Sequence, residues 1–395
     1  MFTIAVAHLQ VLKYAISPMQ LRPTHAVIDL AALKHNYHEV QKRLPKNCGI
    51  LTMVKADAYG HGAVPVAKVF EKEGATCLGV ATVEEGVELR DAGLKKPILV
   101  MGGLLGSGEE AAQVMLKHHL IPVVHSAGVI DLLEEISRRY GTLKIHLKID
   151  TGMTRLGVTL QALPNLLARL KVSEHLKLEG VMTHLAFRQN EDYTKQQLQK
   201  FKEAGETILK VMGEVSIGHI ANSAAVIEGS PIESFQTSQY WVRPGIMLYG
   251  IPPYPEYAKK VSLKPVMSLM SKIVLIKQVP KGTKVSYNCT YTTKRKSKIG
   301  VIPIGYADGY PWALSNKAHV LISGRRVPVL GRVTMDMIMV DLTDLPDVPV
   351  GDEVVLMGKQ GDEKITADQL AAWAKTIPYE IVCGVSKRMP RVYKQ

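Results

Sequence analysis

The chain has 395 residues, 46% apolar and 22% charged, a balance that excludes a disordered protein and supplies enough length for two domains, the larger with a sizeable core. Its 49 basic and 36 acidic residues leave a net charge of +13, a field that favours anionic small molecules and nonspecific nucleic acid alike. Cys48, Cys77, Cys289 and Cys383 form no CxxC pair and have no ligand-like histidine spacing, which argues against a metal site or a disulfide framework and for reduced thiols in the cytoplasm.

Residues 1–7 are apolar, but no basic segment precedes them, and His8, Gln10 and Lys13 break up the next stretch of chain. Neither a secretory signal nor a membrane span is expected. Residues 1–23 read as an extension, with Met19 an alternative start. Strand-like runs then occur at 26–30, 50–54, 77–81, 97–101, 121–125, 144–149, 180–184, 218–222 and 247–249. Between them lie helical patterns at 31–44, 63–73, 84–92, 109–118, 128–140, 160–170 and 193–212. Such alternation implies a parallel sheet with helical crossovers, and a closed (β/α)8 barrel over 24–251 fits the count and length. A doubly wound open sheet is the alternative, although no GxGxxG comes after the first strand.

Pro252, Pro253 and Pro255 mark a change of pattern. Beyond them β-rich runs at 273–276, 299–304, 320–322, 327–330, 338–342 and 354–357, with one helical pattern at 366–375 before 379–385, predict a mainly β domain over 252–395, to which N-terminal residues can contribute.

The stretch richest in chemistry is VKADAYGHG, residues 54–62. Lys55 stands where a buried strand surfaces into a loop, and a desolvated ammonium there has a lowered pKa and can form a Schiff base with an aldehyde. Barrel enzymes collect their reactive groups at the C-terminal ends of strands. Those ends supply Lys148 and Arg155 in HLKIDTGMTRLG, His184 in VMTHLA, Asn222 and Ser223 in HIANSAA, and Arg243 in WVRPGIMLYG. Taken singly, His184 reads as a core histidine and Lys148 or Arg155 as one half of an ion pair. Their occurrence at successive strand ends is what points to a site. Loops after the last two strands of such barrels commonly bind phosphate, and Ser223 and the Gly245–Ile246 backbone fall there.

These motifs, with VSYNCTYTT, IGYADGY, GRVTMD and PYEIVCGVSKRMPRVY further on, resemble the alanine racemase family across roughly residues 24–393. The resemblance implies an isomerase that interconverts L- and D-alanine on pyridoxal 5′-phosphate (PLP), with a TIM barrel, a β domain and a homodimer whose active sites are shared. In bacteria it would supply D-alanine for peptidoglycan. Lys55 then carries PLP, and Tyr59, Tyr379, Ser223, Asn222, Gly245 and Ile246 surround it. Arg155 matches the ligand of the cofactor's phenolic oxygen and of the substrate carboxylate, and Lys148 the lysine often carbamylated beside it. Arg243 faces the pyridine nitrogen. Because a guanidinium keeps its proton, this arrangement disfavours transamination and suits simple proton removal and return.

Racemisation needs a base on each face of Cα, and the resemblance assigns them to Lys55 and to Tyr287 of the partner subunit. A phenol with an ordinary pKa of about 10 is a weak base at neutral pH, so a chain through His184 to Arg243 is expected to assist it. Met335 offers its N–H to the substrate carboxylate with Asp336 beside it, and Tyr306 lines the substrate entryway. Departures from the family pattern are Thr154 in place of glycine or asparagine, Met337 in place of glutamine, and FRQNED after His184.

Other readings are weaker. A PLP-dependent decarboxylase shares the architecture but not the VKADAYGHG form, and a PLP-binding homeostasis protein lacks the β domain. The basic run at 294–298 has no aromatic platform or recognition motif for nucleic acid, and GGLLGSG at 102–108 lacks the lysine of a P-loop.

Overall fold

The computed structural model describes residues 21–229 and 235–395; the expectations for residues 1–20 lie outside the described residues. The first strand, β1 (His25–Asp29), precedes eight that close into a barrel: β2 (Cys48–Met53), β3 (Cys77–Val80), β4 (Ile98–Val100), β5 (Leu120–Val124), β6 (Leu143–Lys148), β7 (Leu176–Met182), β8 (Ile217–Asn222) and β9 (Gln239–Arg243). Every neighbouring pair is parallel, β2 with β9 included. These strands are covered on both faces, so they read as unbroken apolar runs; β3 and β4 are buried throughout.

The helices outside bury one stripe each. Ala127–Tyr140 turns Ile130, Leu133, Ile136 and Ser137 inward, the three- and four-residue steps of a helix face. Val83–Asp91 opens on a capping box between Thr82 and Glu85, and Glu85 also accepts the Ala56 N–H at 2.7 Å. One helix cap therefore also anchors the loop that carries Lys55.

Two expectations for the barrel need correction. The run at 247–249 is not a strand: Ile246–Tyr249 is a short 3-10 helix, fully buried, and the barrel closes on β9, whose polar first residue hid it. Nor does the run at 26–30 enter the barrel. β1 lies in the sheet of the second domain, antiparallel to Met267–Lys272 and parallel to the C-terminal strand Arg391–Lys394. Thr24 Oγ1 meets Ser271 Oγ at 2.8 Å, and Arg22 reaches the buried Asp308 carboxylate with bonds of 2.9 and 3.0 Å.

The second domain is built on a ten-stranded sheet, mostly antiparallel. The segment expected to continue it at 379–385 is instead the helix Pro378–Cys383, with proline at its start, where a missing N–H costs nothing. That helix lies against the segment Lys55–Gly60 and brings the second domain to the mouth of the barrel.

Candidate active site

A cavity of about 730 Å³ opens at the C-terminal ends of the barrel strands. Lys55, Tyr59, Lys148, Arg155, His184 and Arg243 line it from the barrel, together with Asn222, Ser223, Gly245 and Ile246. Tyr379 and Cys383 close one side from the second domain.

Lys55 comes after β2 and opens an unusual turn. Ala56, Asp57, Ala58 and Tyr59 all have left-handed backbone, with φ of 52 to 54°. Such a run is unfavourable for L-residues by roughly 1–2 kcal/mol each, so it persists only because bonds around it outweigh that cost. Asp57 accepts the Ala63 N–H at 2.8 Å, and the buried His61 ring bonds the Tyr59 carbonyl at 2.9 Å. From the far end of the chain, Arg391 donates twice to the Gly60 carbonyl, at 3.1 and 3.0 Å. The turn delivers Lys55 into the cavity, where burial and then the charge of Arg155 lower its pKa.

The same turn carries Tyr59 inward against Tyr249, with ring centroids 4.9 Å apart. Its hydroxyl comes so close to Gly245 that a Cβ there would lie 2.4 Å from it. Glycine at 245 is a matter of space, not of turn geometry. The Gly245 N–H donates to Ser223 Oγ at 2.9 Å, so two hydroxyls and a backbone amide converge on one corner. Asn222 caps the helix Ser223–Glu228, accepting from the Ala224 and Ala225 N–H groups, and its side-chain amide reaches the Leu185 carbonyl at 3.4 Å. Its bonds are structural ones at the rim of this corner.

Arg243, at the end of β9, is 3% exposed. Nη1 donates to the His219 carbonyl at 2.6 Å and to His219 Nδ1 at 3.2 Å; Nη2 donates to the Thr183 and Ile220 carbonyls at 2.6 and 3.0 Å and faces His184 Nδ1 at 3.3 Å. Of its five N–H groups only Nε–H makes no hydrogen bond among the described residues. Burial, and then Arg155, pull the guanidinium down to about 9. His184 is held neutral by burial and by Arg243. Gln197, itself fully buried, bonds the His184 carbonyl at 3.0 Å and fixes its height. Burial and the Arg155 charge bring the Lys148 ammonium to about 8.

Tyr287, Tyr306, Met335 and Asp336 do not reach this cavity within one chain. They sit on loops of the second domain, with Tyr287 71% exposed and Met335 52% exposed. The loops are tied together: Ser286 Oγ donates to the Arg332 carbonyl at 2.7 Å, and the Tyr306 N–H to the Thr334 carbonyl at 3.0 Å. Asp336 accepts from Arg388 at 2.8 Å.

Family models described as the alanine racemase N-terminal and C-terminal domains match residues 28–253 and 266–393. The chain belongs to the alanine racemase family. It is 46% identical to the alanine racemase of Halothermothrix orenii over 376 residues, covering 94% of this chain and 97% of that one. With the Geobacter sulfurreducens alanine racemase it shares 42% identity over 381 residues, 95% of this chain and 98% of that one. Among solved structures, alanine racemase from Clostridium difficile 630 superposes with a TM-score of 0.86 at 37% identity, covering 94% and 96% of the two chains. The Bacillus anthracis alanine racemase with bound L-Ala-P gives 0.87 at 36% identity, covering 95% of each chain. The barrel-plus-β-domain architecture is thus that of alanine racemases, and the chain is an isomerase of that class.

Two departures from the alanine racemase pattern take on a structural meaning. Thr154 has φ of 51°, a left-handed conformation that explains why glycine or asparagine is usual there. FRQNED is tied down: Arg188 pairs with Glu228 at 2.8 Å, and Gln189 bonds Glu256. Sequence reasoning missed His219, Gln197 and Cys383. His219 alone had a usable signal, since it lies within HIANSAA, one strand before Arg243.

Proposed function

We propose that this isomerase is a PLP-dependent alanine racemase that works by a two-base mechanism as a homodimer, in the cytoplasm, and supplies D-alanine for peptidoglycan. The observation that carries the cofactor assignment is the distribution of donors across one cavity. The Ser223 and Tyr59 hydroxyls and the Gly245 amide crowd one corner, Arg243 keeps a single uncommitted N–H, and a buried lysine of lowered pKa stands at the same cavity. Those are the needs of a phosphate, a ring nitrogen and an aldehyde respectively, and the residues fit PLP.

When bound, PLP supplies an electron sink that acidifies the substrate Cα–H. The protein supplies the rest. Lys55 Nζ holds the cofactor and exchanges the proton on one face of Cα. The phenol oxygen of Tyr287 of the partner subunit exchanges it on the other. Arg243 keeps its own proton, so the ring nitrogen gains a hydrogen bond and no full charge. His184, bonded to Arg243 through Nδ1, has its other ring nitrogen without a hydrogen bond among the described residues, and that nitrogen would orient the phenol. Arg155 binds the substrate carboxylate, aided by the Met335 N–H and Asp336 of the second subunit, while Tyr306 lines the way in. Lys148, if carbamylated, becomes an anion that pairs with Arg155. The high surface exposure of Tyr287, Tyr306 and Met335 is what a shared site requires of an isolated chain. Among the described residues no helix is long and apolar enough to cross a membrane.

Chiral analysis of the PLP-loaded protein incubated with L-alanine tests this reading. D-alanine is expected to accumulate to parity, and the Lys55→Ala variant to be inactive. A protein that turns yellow with PLP yet leaves L-alanine unchanged would retain the binding site and overturn the reaction.

A further inference from the structure

Arg243 is also held from beneath, by a line of side chains running down the barrel axis. Inward-facing positions alternate along each strand, so β6 sends Lys144, His146 and Lys148 toward the interior at three successive heights. Lys148 reaches the cavity and Lys144 the opposite mouth. His146 lies between them, fully buried. Its Nδ1 is 2.8 Å from His219 Nε2, and His219 Nδ1 is the atom that faces Arg243 Nη1. On the other side His146 Nε2 has no hydrogen-bond partner among the described residues, and the nearest carboxylate oxygen given for it is Glu179 Oε2, 3.7 Å away. Glu179 in turn accepts from Lys144 at 2.5 Å, at the rim of a second cavity of about 380 Å³ at the far end of the barrel.

Donor and acceptor roles along this line are set by its ends. A guanidinium can only donate, so His219 Nδ1 must accept, which places the His219 proton on Nε2. That proton goes to His146 Nδ1, so His146 also carries its own on Nε2, 3.7 Å from a carboxylate. Both rings are kept neutral chiefly by burial. The sequence makes room for the arrangement: a Cβ at Gly180, beside His146 in the register of β6 with β7, would lie 2.5 Å from the imidazole ring. Trp241 packs over both imidazoles, with centroids 5.8 and 6.2 Å away.

We propose that Glu179, acting through His146 and His219, is a positioning residue for Arg243: it fixes both imidazoles as Nε2–H tautomers, so that His219 always presents an acceptor and the guanidinium keeps its free Nε–H turned to the cavity. If Glu179 were replaced by an apolar group, the His146 proton could move to Nδ1 and confront the proton on His219 Nε2. One ring would then have to change tautomer and offer Arg243 an N–H in place of a lone pair. The tautomer assignment stands on contacts alone; its effect on turnover rests on the reading of Arg243 as partner of the PLP ring nitrogen.

The test has two arms. Nitrogen-15 NMR of histidine-labelled, cofactor-free protein, with His146 and His219 assigned by substitution, reads the tautomers directly. The wild type is expected to show Nε2–H at both. Glu179→Leu is expected to move a substantial fraction of His146 to Nδ1–H, and Gly180→Ala to disturb the same ring by steric displacement. Glu179→Gln, whose side-chain oxygen still accepts, should preserve the pattern. In the PLP-loaded enzyme Glu179→Leu should lower kcat by roughly ten-fold or more with KM for alanine changed less than about two-fold, the scale at which a sub-ångström misplacement of a reacting group acts. Glu179→Gln should recover most of that loss.

Unchanged tautomers in Glu179→Leu overturn the proposal whatever happens to turnover. Shifted tautomers with kcat intact overturn it equally, because Arg243 would then not depend on the line. A wild-type protein without racemase activity would sink the functional reading instead, and the NMR arm would still decide whether Glu179 sets the tautomers.

Discussion

At the scale of single residues, Lys148 shows what the site costs the fold. Its ammonium is buried beside Arg155 and Arg243 and titrates at about 8, against an ordinary lysine value of 10.5. Between those values the unfolded chain holds the proton and the folded chain has released it, so stability rises with pH across that window. Below about 8 both states carry the charge and the full penalty applies. Lys148→Met is therefore expected to stabilise the cofactor-free protein at pH 7 by on the order of 1–3 kcal/mol in carbonate-free buffer, with the gain fading between pH 8 and 10.5. Thermal melts across that range check it. If bicarbonate raises the wild-type melting temperature and not that of the variant, the carbamate reading gains support.

Lys55, Ser223 and Arg243 were legible in the sequence because each stands at the end of an apolar run, where a polar residue is out of place unless it faces a site; Tyr59 was reached only through the family resemblance. His146 was not, because inside a strand a histidine looks like any satisfied core residue; His219 was passed over for the same reason, although it opens the HIANSAA stretch that carries Asn222 and Ser223. The period-2 relation of His146 to Lys148 shows only that they share a face. What His146 meets there depends on Gly180 and His219, on two other strands.

At the scale of elements, the left-handed turn after Lys55 is held by the C-terminal strand. Arg391 spans the carbonyls of Gly60, Val385, Ser386 and Met389, with bonds between 2.6 and 3.1 Å. Tyr393 adds a bond to the His61 carbonyl at 3.2 Å. Arg391→Ala strands these acceptors and releases a strained turn, so a loss of about 2–4 kcal/mol in stability is expected, together with weaker PLP binding. Arg391→Lys should rescue little, since a point charge cannot reach four carbonyls. Calorimetry and a PLP absorbance titration read the two effects.

The barrel's alternation was legible because each βα unit repeats the same burial demand. The run at 26–30 was counted among the barrel's strands for that very reason, with a contribution of N-terminal residues to the β domain left open: HAVID and then LAALKHNY imitate one more unit, and nothing local reveals that its partners lie at 267–272 and 391–394. The turn at 56–59 was invisible for another reason, since of its four residues only Asp57 belongs to a type that tolerates left-handed backbone, and distant bonds impose it on Ala56, Ala58 and Tyr59.

At the scale of the whole molecule, the exposed aromatic and methionine side chains on the loops around 286–289, 305–312 and 331–337 set the expectation of a second subunit. Tyr287, Tyr306, Trp312, Met335 and Met337 are each between 44 and 71% exposed. Such grouping of large apolar side chains on one surface is a common sign of an interaction site, and a second subunit is the occupant proposed for it. If Tyr287 serves the partner's site, Lys55→Ala and Tyr287→Phe subunits, each inactive alone, should recover about a quarter of wild-type turnover when co-refolded in equal amounts. Half the dimers are then mixed, and each mixed dimer has one intact site. No recovery would place Tyr287 in its own subunit's chemistry, and a Tyr287→Phe protein active by itself would remove it from the chemistry altogether.

The pairing of β1 with the C-terminal strand reaches beyond catalysis. Ala26 to Asp29 run alongside Arg391 to Lys394 in parallel, and Lys394 Nζ contacts Asp29 Oδ2 at 3.0 Å. A tensile load that enters through the residues before β1 and leaves through those after Arg391–Lys394 pulls these neighbours along their own axis in opposite directions. Their hydrogen bonds are then sheared together instead of peeled one by one. A load carried between the two termini therefore has to break this pairing as a unit, and the lysine-bearing turn is tied to the same C-terminal strand through Arg391.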